Sequence, residues 1–290
     1  MDMLDRSTPQ SVALETTLPA LGLPAGEGLP FSRELNGIIR SEGAEPSVIG
    51  VLRGRPIVGM TDDELAALLD SRTVEKANTA NLGLLIHRGA DAATTVSATM
   101  ELAAAVGVRV FATGGIGGVH KDYGRHLDIS ADLAALARFP VAVVASGTKS
   151  LLDVVSTREA LESLGVPVVG FRCDRFPAFY LRESDATLDA RFENEADLAV
   201  FIADELDRTG RGVLVCNPIP EADEVTRADW DRWLAEAERR CAGIGGRDIT
   251  PCVLGALHEV SGGATLLANL ALVRSNARLG ARLAARLGGA

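Results

Sequence analysis

The chain has 290 residues, 47% of them hydrophobic, enough to bury a large core either as one α/β domain or as two smaller ones. A net charge of −10, from 39 acidic against 29 basic residues, argues against the clustered Lys and Arg of a nucleic-acid footprint. No apolar run reaches the roughly 18 residues needed to span a bilayer, and the first residues lack the basic-then-apolar order of a secretory leader, so a soluble, cytoplasmic protein is expected.

Residues 1–10 are a polar lead-in and a candidate for disorder, while residues 11–290 show no internal repeat and no long linker and read as a single catalytic domain. Ser11 to Glu15 reads as a strand that finishes on a carboxylate, which at such a place is either a cap or a site residue. A helix is predicted over Phe31 to Arg40, then a strand pair, Ser47 to Leu52 and Arg55 to Gly59, turning at Gly54. Thr61-Asp62-Asp63-Glu64 is a capping box that opens the next helix. Lys76 stands just before a predicted strand, Leu82 to Ile86, and Thr94-Thr95 stand at the start of a helix running to Val106. Such a helix start offers backbone N–H groups to an anion, although an ordinary N-cap reads the same way.

Val108 to Ala112 and Val141 to Ala145 are short apolar runs of the kind buried on both faces of a parallel sheet. Each leads into a polar loop, Thr113 to His120 and Ser146 to Ser150. Ligands of open α/β sheets sit beyond the carboxyl ends of the strands, so both loops fall where chemistry is expected. Helices follow over Ser130 to Ala137 and Ser150 to Leu164, a strand over Val168 to Phe171, a long helix over Glu193 to Thr209 and a strand over Gly212 to Cys216. Beyond the loop Asn217 to Glu221 come helices from Thr226 to Ala242 and from Thr250 to the end, with Trp230 and Trp233 as packing anchors. The alternation predicts a three-layer α/β/α sandwich on a mostly parallel sheet. Cys173, Cys216, Cys241 and Cys252 lie far apart without a CxxC pair and read as reduced core thiols.

Two generic motif matches fail. Gly114 to Val119 lacks the helix and the distant acid of a dinucleotide fingerprint, and Gly147-Thr148-Lys149-Ser150 lacks the upstream Gly and the Gly-Lys step of a P-loop. The glycines of the first are read as letting backbone turn tightly or approach a ligand.

Taken together, Val12 to Thr17, Ala112 to His120, Asp128 to Leu133, Gly147 to Ser150, Asn217 to Glu221 and Thr250-Pro251 resemble, in order and spacing, the pseudouridine-5′-phosphate glycosidases over nearly the whole chain from Ser11. The resemblance implies a manganese-dependent homotrimer of α/β/α fold that reversibly makes or breaks a carbon–carbon bond between ribose 5-phosphate and uracil. It implies an acid–base role for Glu15, an imine-forming role for Lys149 and metal binding by Asp128. Lys76, Val96, Ser130, Ala131 and Asp132 become its substrate contacts, with Thr113, His120 and Asn217 facing the base.

The residue types suit that chemistry. A C-glycoside has no leaving oxygen or nitrogen, so an amine that captures C1 as an iminium supplies the electron sink that carboxylates cannot. Partial burial would lower the pKa of Lys149 toward the working pH, and an apolar approach strand would raise that of Glu15. On residue type alone, Lys149 reads as an exposed surface lysine. Asp128 beside His126 suggests zinc, but one carboxylate without a His pair fits Mn²⁺ or Mg²⁺ with several waters better. The ion would order the loop and reach the phosphate through water, with Lys76, Thr94 and Thr95 as phosphate or ribose contacts.

Three departures bear on the acceptor. Leu21 replaces a family His, Lys76 is followed by Ala77-Asn78-Thr79-Ala80-Asn81-Leu82-Gly83 in place of a basic run, and Ala90 replaces a Lys. The thinned polar surroundings point away from uracil toward an aromatic polyketide, as in the relative of alnumycin biosynthesis that joins ribose 5-phosphate to such an aglycone. The competing readings are the pyrimidine glycosidase proper, a metal-dependent hydrolase using Glu15 and Asp128 without an imine, and a catalytically silent sugar-phosphate binder.

Overall fold

The computed structural model describes residues 2–121, 123–124, 127–242 and 249–288, with backbone alone for 249–251 and 254. The first half contains β1 (Leu4–Asp5), β2 (Ser11–Leu14), a π-helical turn (Leu18–Gly22), α1 (Gly28–Ser41), β3 (Glu45–Leu52), β4 (Arg55–Val58), α2 (Asp62–Leu69), β5 (Glu75–Ala77), α3 (Leu82–His87), β6 (Ala92–Thr94), α4 (Val96–Ala105) and β7 (Val110–Ala112). The second half contains α5 (Ala131–Arg138), β8 (Ala142–Ala145), α6 (Val154–Ser163), β9 (Val168–Phe171), β10 (Ala190–Phe192), α7 (Glu195–Thr209), β11 (Val213–Cys216), α8 (Arg227–Arg240), α9 (Ile249–Val260) and α10 (Ala264–Leu287).

Eleven strands form one sheet, ordered β1-β4-β3-β2-β7-β8-β11-β9-β10, with β6 and then β5 joined at β3. Among the described residues, every pairing is parallel except those of β3 with β4 and β6. The expected mostly parallel α/β architecture is what the chain adopts. Its three layers follow from the period-two alternation of strand side chains. Val12, Val110, Ala112, Val144 and Val215 face one core with α1, α7, α8 and α10, whereas Ala13, Phe111, Val143 and Leu214 face another with α3, α4 and α5. Gly280 lets α10 lie close on the sheet, because a Cβ there would stand 3.2 Å from that of Ala112.

Several local signals act as read. The Thr61 capping box is complete, with Thr61 N donating to Glu64 Oε2 (2.8 Å) and Glu64 N to Thr61 Oγ1 (3.2 Å). Trp230 is buried and packs on Tyr180 at 5.5 Å between ring centroids.

Three expectations are corrected. The apolar run Leu82 to Ile86 is helix α3, because only Leu82 and Leu85 are buried while Leu84 is exposed, an i, i+3 pattern in place of two-faced strand burial. The strand at this point is β5, which contains Lys76. The lead-in is ordered in part, since Leu4 and Asp5 pair with Ile57 and Val58. Only Cys173 and Cys216 are free buried thiols. Cys241 and Cys252 form a disulfide, because the packing of α8 on α9 brings their Cα atoms to 6.1 Å. No helix among the described residues is long and apolar enough to cross a membrane.

Candidate active site

Parallel pairing of β2, β7, β8 and β11 puts the residues that follow them side by side along one edge of the sheet. Glu15 follows β2, Thr113 follows β7, the loop Ser146 to Ser150 follows β8, and Asn217 follows β11. The two polar loops then extend the β7–β8 ladder beyond the strands. Ser146 N donates to Gly114 O (2.9 Å), Ile116 N to Gly147 O (3.0 Å) and Lys149 N to Ile116 O (3.1 Å), so the lysine's backbone position is fixed. Gly147 has φ +69°, and a Cβ there would run into the Pro177 carbonyl, so only glycine serves. The run Gly114 to Gly118 needs its glycines for a different reason: Phe179, Ser130 and Thr157 press directly on its backbone.

Glu15 retains some exposed surface, but its carboxylate lies deep, and burial raises its pKa. Lys149's charge, a hydrogen bond donated by Thr113 Oγ1 and Lys76's charge oppose that rise, while Asp132 adds to it. Lys76 is shifted downward, chiefly by desolvation and then by Lys149, against the pull of Asp132 and Glu15, even though the residue as a whole stays exposed. Glu15, Lys149, Lys76 and Asp132 therefore lie within each other's electrostatic reach. The partial burial expected of Lys149 is absent: its side chain is exposed, because only the loop backbone is pinned and the stem projects from it.

The remaining predicted residues divide by what they are free to do. Asp132 is buried, with Oδ1 accepting from Ser97 N (2.9 Å) and Oδ2 from Gly117 N (2.8 Å), so it fastens α4 to the glycine loop. Ser130 caps α5, accepting from Asp132 N at 3.2 Å, and Ala131 is the helix's first residue. Thr94 is wholly buried, donates to Ile49 O (2.7 Å) and accepts from Thr99 Oγ1, so no ligand reaches its hydroxyl. Thr95 stands at the N-cap position of α4 without a side-chain cap bond, its half-buried hydroxyl 3.1 Å from Ser97 Oγ, and Val96 is buried, so that Val96 has only its backbone to offer a ligand. Asn217 commits both amide hydrogens, to Ser275 Oγ (3.0 Å) and Asn276 Oδ1 (2.9 Å), and keeps its own Oδ1 for another partner.

His120 and Asp128 face each other across a hairpin closed by the Val119–Ile129 bridge, with His120 N donating to Asp128 O (3.0 Å) and the side chains 3.9 Å apart. His126 lies outside the described residues, as do the side chains of Thr250 and Pro251. Among the described residues no three His, Cys, Asp or Glu groups gather into a metal-binding cluster. Asp128, with two thirds of its side chain exposed, fits a divalent ion that keeps most of its waters, not a stripped one such as structural zinc.

A groove of about 520 Å³ lies elsewhere, beside α1, and contains none of these residues. Its guanidinium groups already have carboxylate partners, Arg6 with Glu64, Arg33 with Asp62 and Arg40 with Glu45, so the titratable cluster at the strand ends is the better guide to the site. Beside Glu15 is a void of only about 20 Å³, walled by Leu14, Leu18, Phe31 and Leu35, with room for about one water.

Sequence reading missed Asn276 of α10. It is fully buried and donates through Nδ2 to Thr113 O (2.7 Å) and to Ser146 Oγ (3.2 Å). The available signal was an amide at a core position of an otherwise apolar helical stripe, Leu272, Val273, Leu279 and Leu283.

A mostly parallel sheet with a buried acid and an exposed lysine in electrostatic reach of each other at its carboxyl edge is the arrangement of an α/β enzyme. The family model described as indigoidine synthase A like protein matches residues 3–286, and the chain belongs to that family. Among its relatives, the pseudouridine-5′-phosphate glycosidase of Nocardioides sp. is 44% identical over 96% of this chain and 92% of its own. That of Methylobacterium nodulans is 44% identical over 99% and 86%. Solved structures that share the fold include two proteins of the same architecture. An indigoidine synthase A-like protein of Thermotoga maritima has a TM-score of 0.90 at 36% identity, covering 99% of this chain and 96% of its own. The prealnumycin C-glycosynthase AlnA, in complex with ribulose 5-phosphate, has a TM-score of 0.91 at 33% identity, covering 100% and 98%. The resemblance read from the motifs is borne out at the level of the family.

Proposed function

We propose that the chain is a C-glycosynthase that joins C1 of ribose 5-phosphate to an aromatic carbon nucleophile, reversibly, through an imine on Lys149. The observation that carries this reading is that Glu15, which follows β2, and Lys149, in the loop after β8, stand at the same edge of the sheet within electrostatic reach of each other. The names of the relatives, a glycosidase of pseudouridine 5′-phosphate and a C-glycosynthase, support the bond type.

The steps balance without an outside oxidant or reductant. The free amine of Lys149 Nζ adds to the aldehyde of open-chain ribose 5-phosphate, and water leaves with uptake of a proton from solvent, giving an iminium. The acceptor carbon adds to C1, and the C=N pair returns to nitrogen. The acceptor's proton passes to Glu15, which therefore works as the base in synthesis and as the acid in cleavage. Closure by the 4-hydroxyl expels the amine, so the net change is sugar phosphate plus acceptor giving C-glycoside plus water. Lys76 and the amide end of α4 hold the phosphate. Asp128 would hold a hydrated Mn²⁺ or Mg²⁺, which supplies positive charge to the phosphate side.

Leu21, half exposed in the turn after Glu15, and Ala90 favour an apolar acceptor over uracil. Cleavage of pseudouridine 5′-phosphate is the second reading, favoured by the relatives' names. Mass spectrometry of enzyme, Mn²⁺ and ribose 5-phosphate with uracil, in parallel with an aromatic polyphenol panel, separates the two. A product from uracil alone would reverse the choice of acceptor. Borohydride added with ribose 5-phosphate should leave a pentitol-phosphate mass on Lys149; turnover that persists in Lys149→Ala would instead support a hydrolase without an imine. A homotrimer is proposed with it, and sedimentation equilibrium reads the assembly directly.

A further inference from the structure

We propose that Asn276 is a positioning residue for the reaction, clasping the ends of β7, β8 and β11 from α10 and thereby holding the Thr113 hydroxyl on the Glu15 carboxylate. This rests on the acid–base role given to Glu15 above, but the clasp itself is a matter of geometry. Asn276 Nδ2 reaches Thr113 O at 2.7 Å, Gly114 O at 3.4 Å and Ser146 Oγ at 3.2 Å, while its Oδ1 accepts from Asn217 Nδ2 at 2.9 Å. Ser146 Oγ in turn donates to Asn217 O at 2.8 Å, closing the ring. The two carbonyls can only accept, so the orientation of the amide is fixed by its partners.

One buried side chain thus fixes the residue that follows each of three adjacent parallel strands. Thr113 gains the most from this. Its N–H already bonds Val144 O (3.0 Å), and with its carbonyl held by Asn276 the peptide planes on both sides are set. Its hydroxyl is then aimed at Glu15 Oε1. The other groups that face the acid come from separate elements: Lys149 from the β8–α6 loop, Lys76 from β5 and Asp132 from α5. None of them touches Asn276 in the described network, so a change at Asn276 reaches Glu15 through Thr113.

A structural prop would serve stability alone, whereas a positioning residue also sets how readily Glu15 gives up its proton. The Thr113 hydrogen bond favours the carboxylate. Asn276→Leu, similar in volume and without a donor, should therefore move the titration midpoint of Glu15 to higher pH. The midpoint is read by carbon NMR of protein labelled at glutamate carboxyls, with the Glu15 resonance identified by its loss in Glu15→Gln. Thr113→Val should move it the same way, and Asn276→Leu added to Thr113→Val should move it no further.

In the cleavage assay, Asn276→Leu should lower kcat by about 10²-fold, with KM for the sugar phosphate little changed and the alkaline limb shifted upward with the acid. A midpoint that stays in place in Asn276→Leu, or that shifts again in the double variant, overturns the proposal. If Asn276→Leu does not fold, Asn217→Ala releases the other end of the amide and should give a smaller shift in the same direction; no shift there overturns it equally. If the midpoint moves while neither wild type nor variant forms or breaks a C-glycoside, the clasp stands and the proposed reaction falls.

Discussion

The strand-end cluster and the hairpin from Val119 to Ile129 both hold residues expected to touch the substrate, yet they are built in opposite ways. At the strand ends the backbones of Thr113, Ser146, Lys149 and Asn217 are tied into an extended ladder, and Glu15, Thr113 and Asn217 have their side-chain or backbone partners assigned by buried groups. In the hairpin, Asp128 is open to water, His120 is partly so, and Leu127 keeps 80% of its surface exposed. A side-chain tie to the body of the protein is the ion pair of Lys121 with Glu238 on α8 at 3.6 Å, between groups each about half exposed. Covalent chemistry needs atoms held to fractions of an ångström, whereas a hydrated cation and a phosphate tolerate a looser hold. Substitutions of the buried groups in the first region should therefore cost activity and shift stability, and that of Asp128 in the second should cost ion affinity alone.

The largest effect is expected at Lys149. Lys149→Ala should lower turnover by about 10⁴-fold or more and abolish the borohydride adduct, while leaving the melting temperature within about 1 °C, because the side chain is exposed. A variant that kept a tenth of the activity would break the covalent reading.

Next in size is a stability effect away from both regions. The Cys241–Cys252 bridge spans 11 residues of sequence, and opening a loop of that length with a dithiol reductant should cost about 3 kcal/mol where α8 meets α9. Thermal melts with and without reductant measure it. Alkylation that finds four thiols before any reductant is added would remove its basis.

How legible all this was depends on whether the signal was periodic or tertiary. The two faces of β2, β7, β8 and β11 could be read because apolar residues alternate between two cores, and α2 because its capping box is local. The five-residue run in α3 could not be read, since Leu82, Leu84, Leu85 and Ile86 suit a strand as well as a helix and only tertiary packing decides which are covered. The family resemblance assigned Glu15, Thr113, Lys149 and Asn217 to one site, and the fold sets them beyond neighbouring parallel strands, but the resemblance could not say that Thr94 and Asp132 spend their polar atoms on the protein itself. The disulfide and the Asn276 clasp join segments by packing alone, and no spacing in the chain announces either.

A smaller effect separates the roles of Glu15. Burial raises its pKa in the folded state, so the stability it contributes is full below the unfolded value near pH 4.3 and declines as pH rises through the folded one. Glu15→Gln has no such decline. Its melting temperature relative to wild type should be close to zero difference at pH 4 and higher by roughly 2 °C at pH 8, while turnover falls by about 10²- to 10⁴-fold. Activity and stability moving in opposite directions is the behaviour of a strained functional acid; a difference that does not grow with pH would show that the carboxyl is not held above its ordinary range.

The smallest stability effect belongs to the hairpin. Asp128→Ala removes a carboxylate that is two thirds exposed and 3.9 Å from His120, too far for a hydrogen bond, so it should change stability by less than about 0.5 kcal/mol. If Asp128 holds a hydrated divalent ion, the same substitution should raise the Mn²⁺ concentration needed for half activity by at least about 10-fold, with the Lys149 adduct still forming at saturating sugar phosphate. Adduct yield and Mn²⁺ titration on one sample separate the two regions. An adduct that vanished with Asp128 would mean that the hairpin also positions C1 for the amine, and the division of labour between a rigid chemical edge and a loose ionic one would fail.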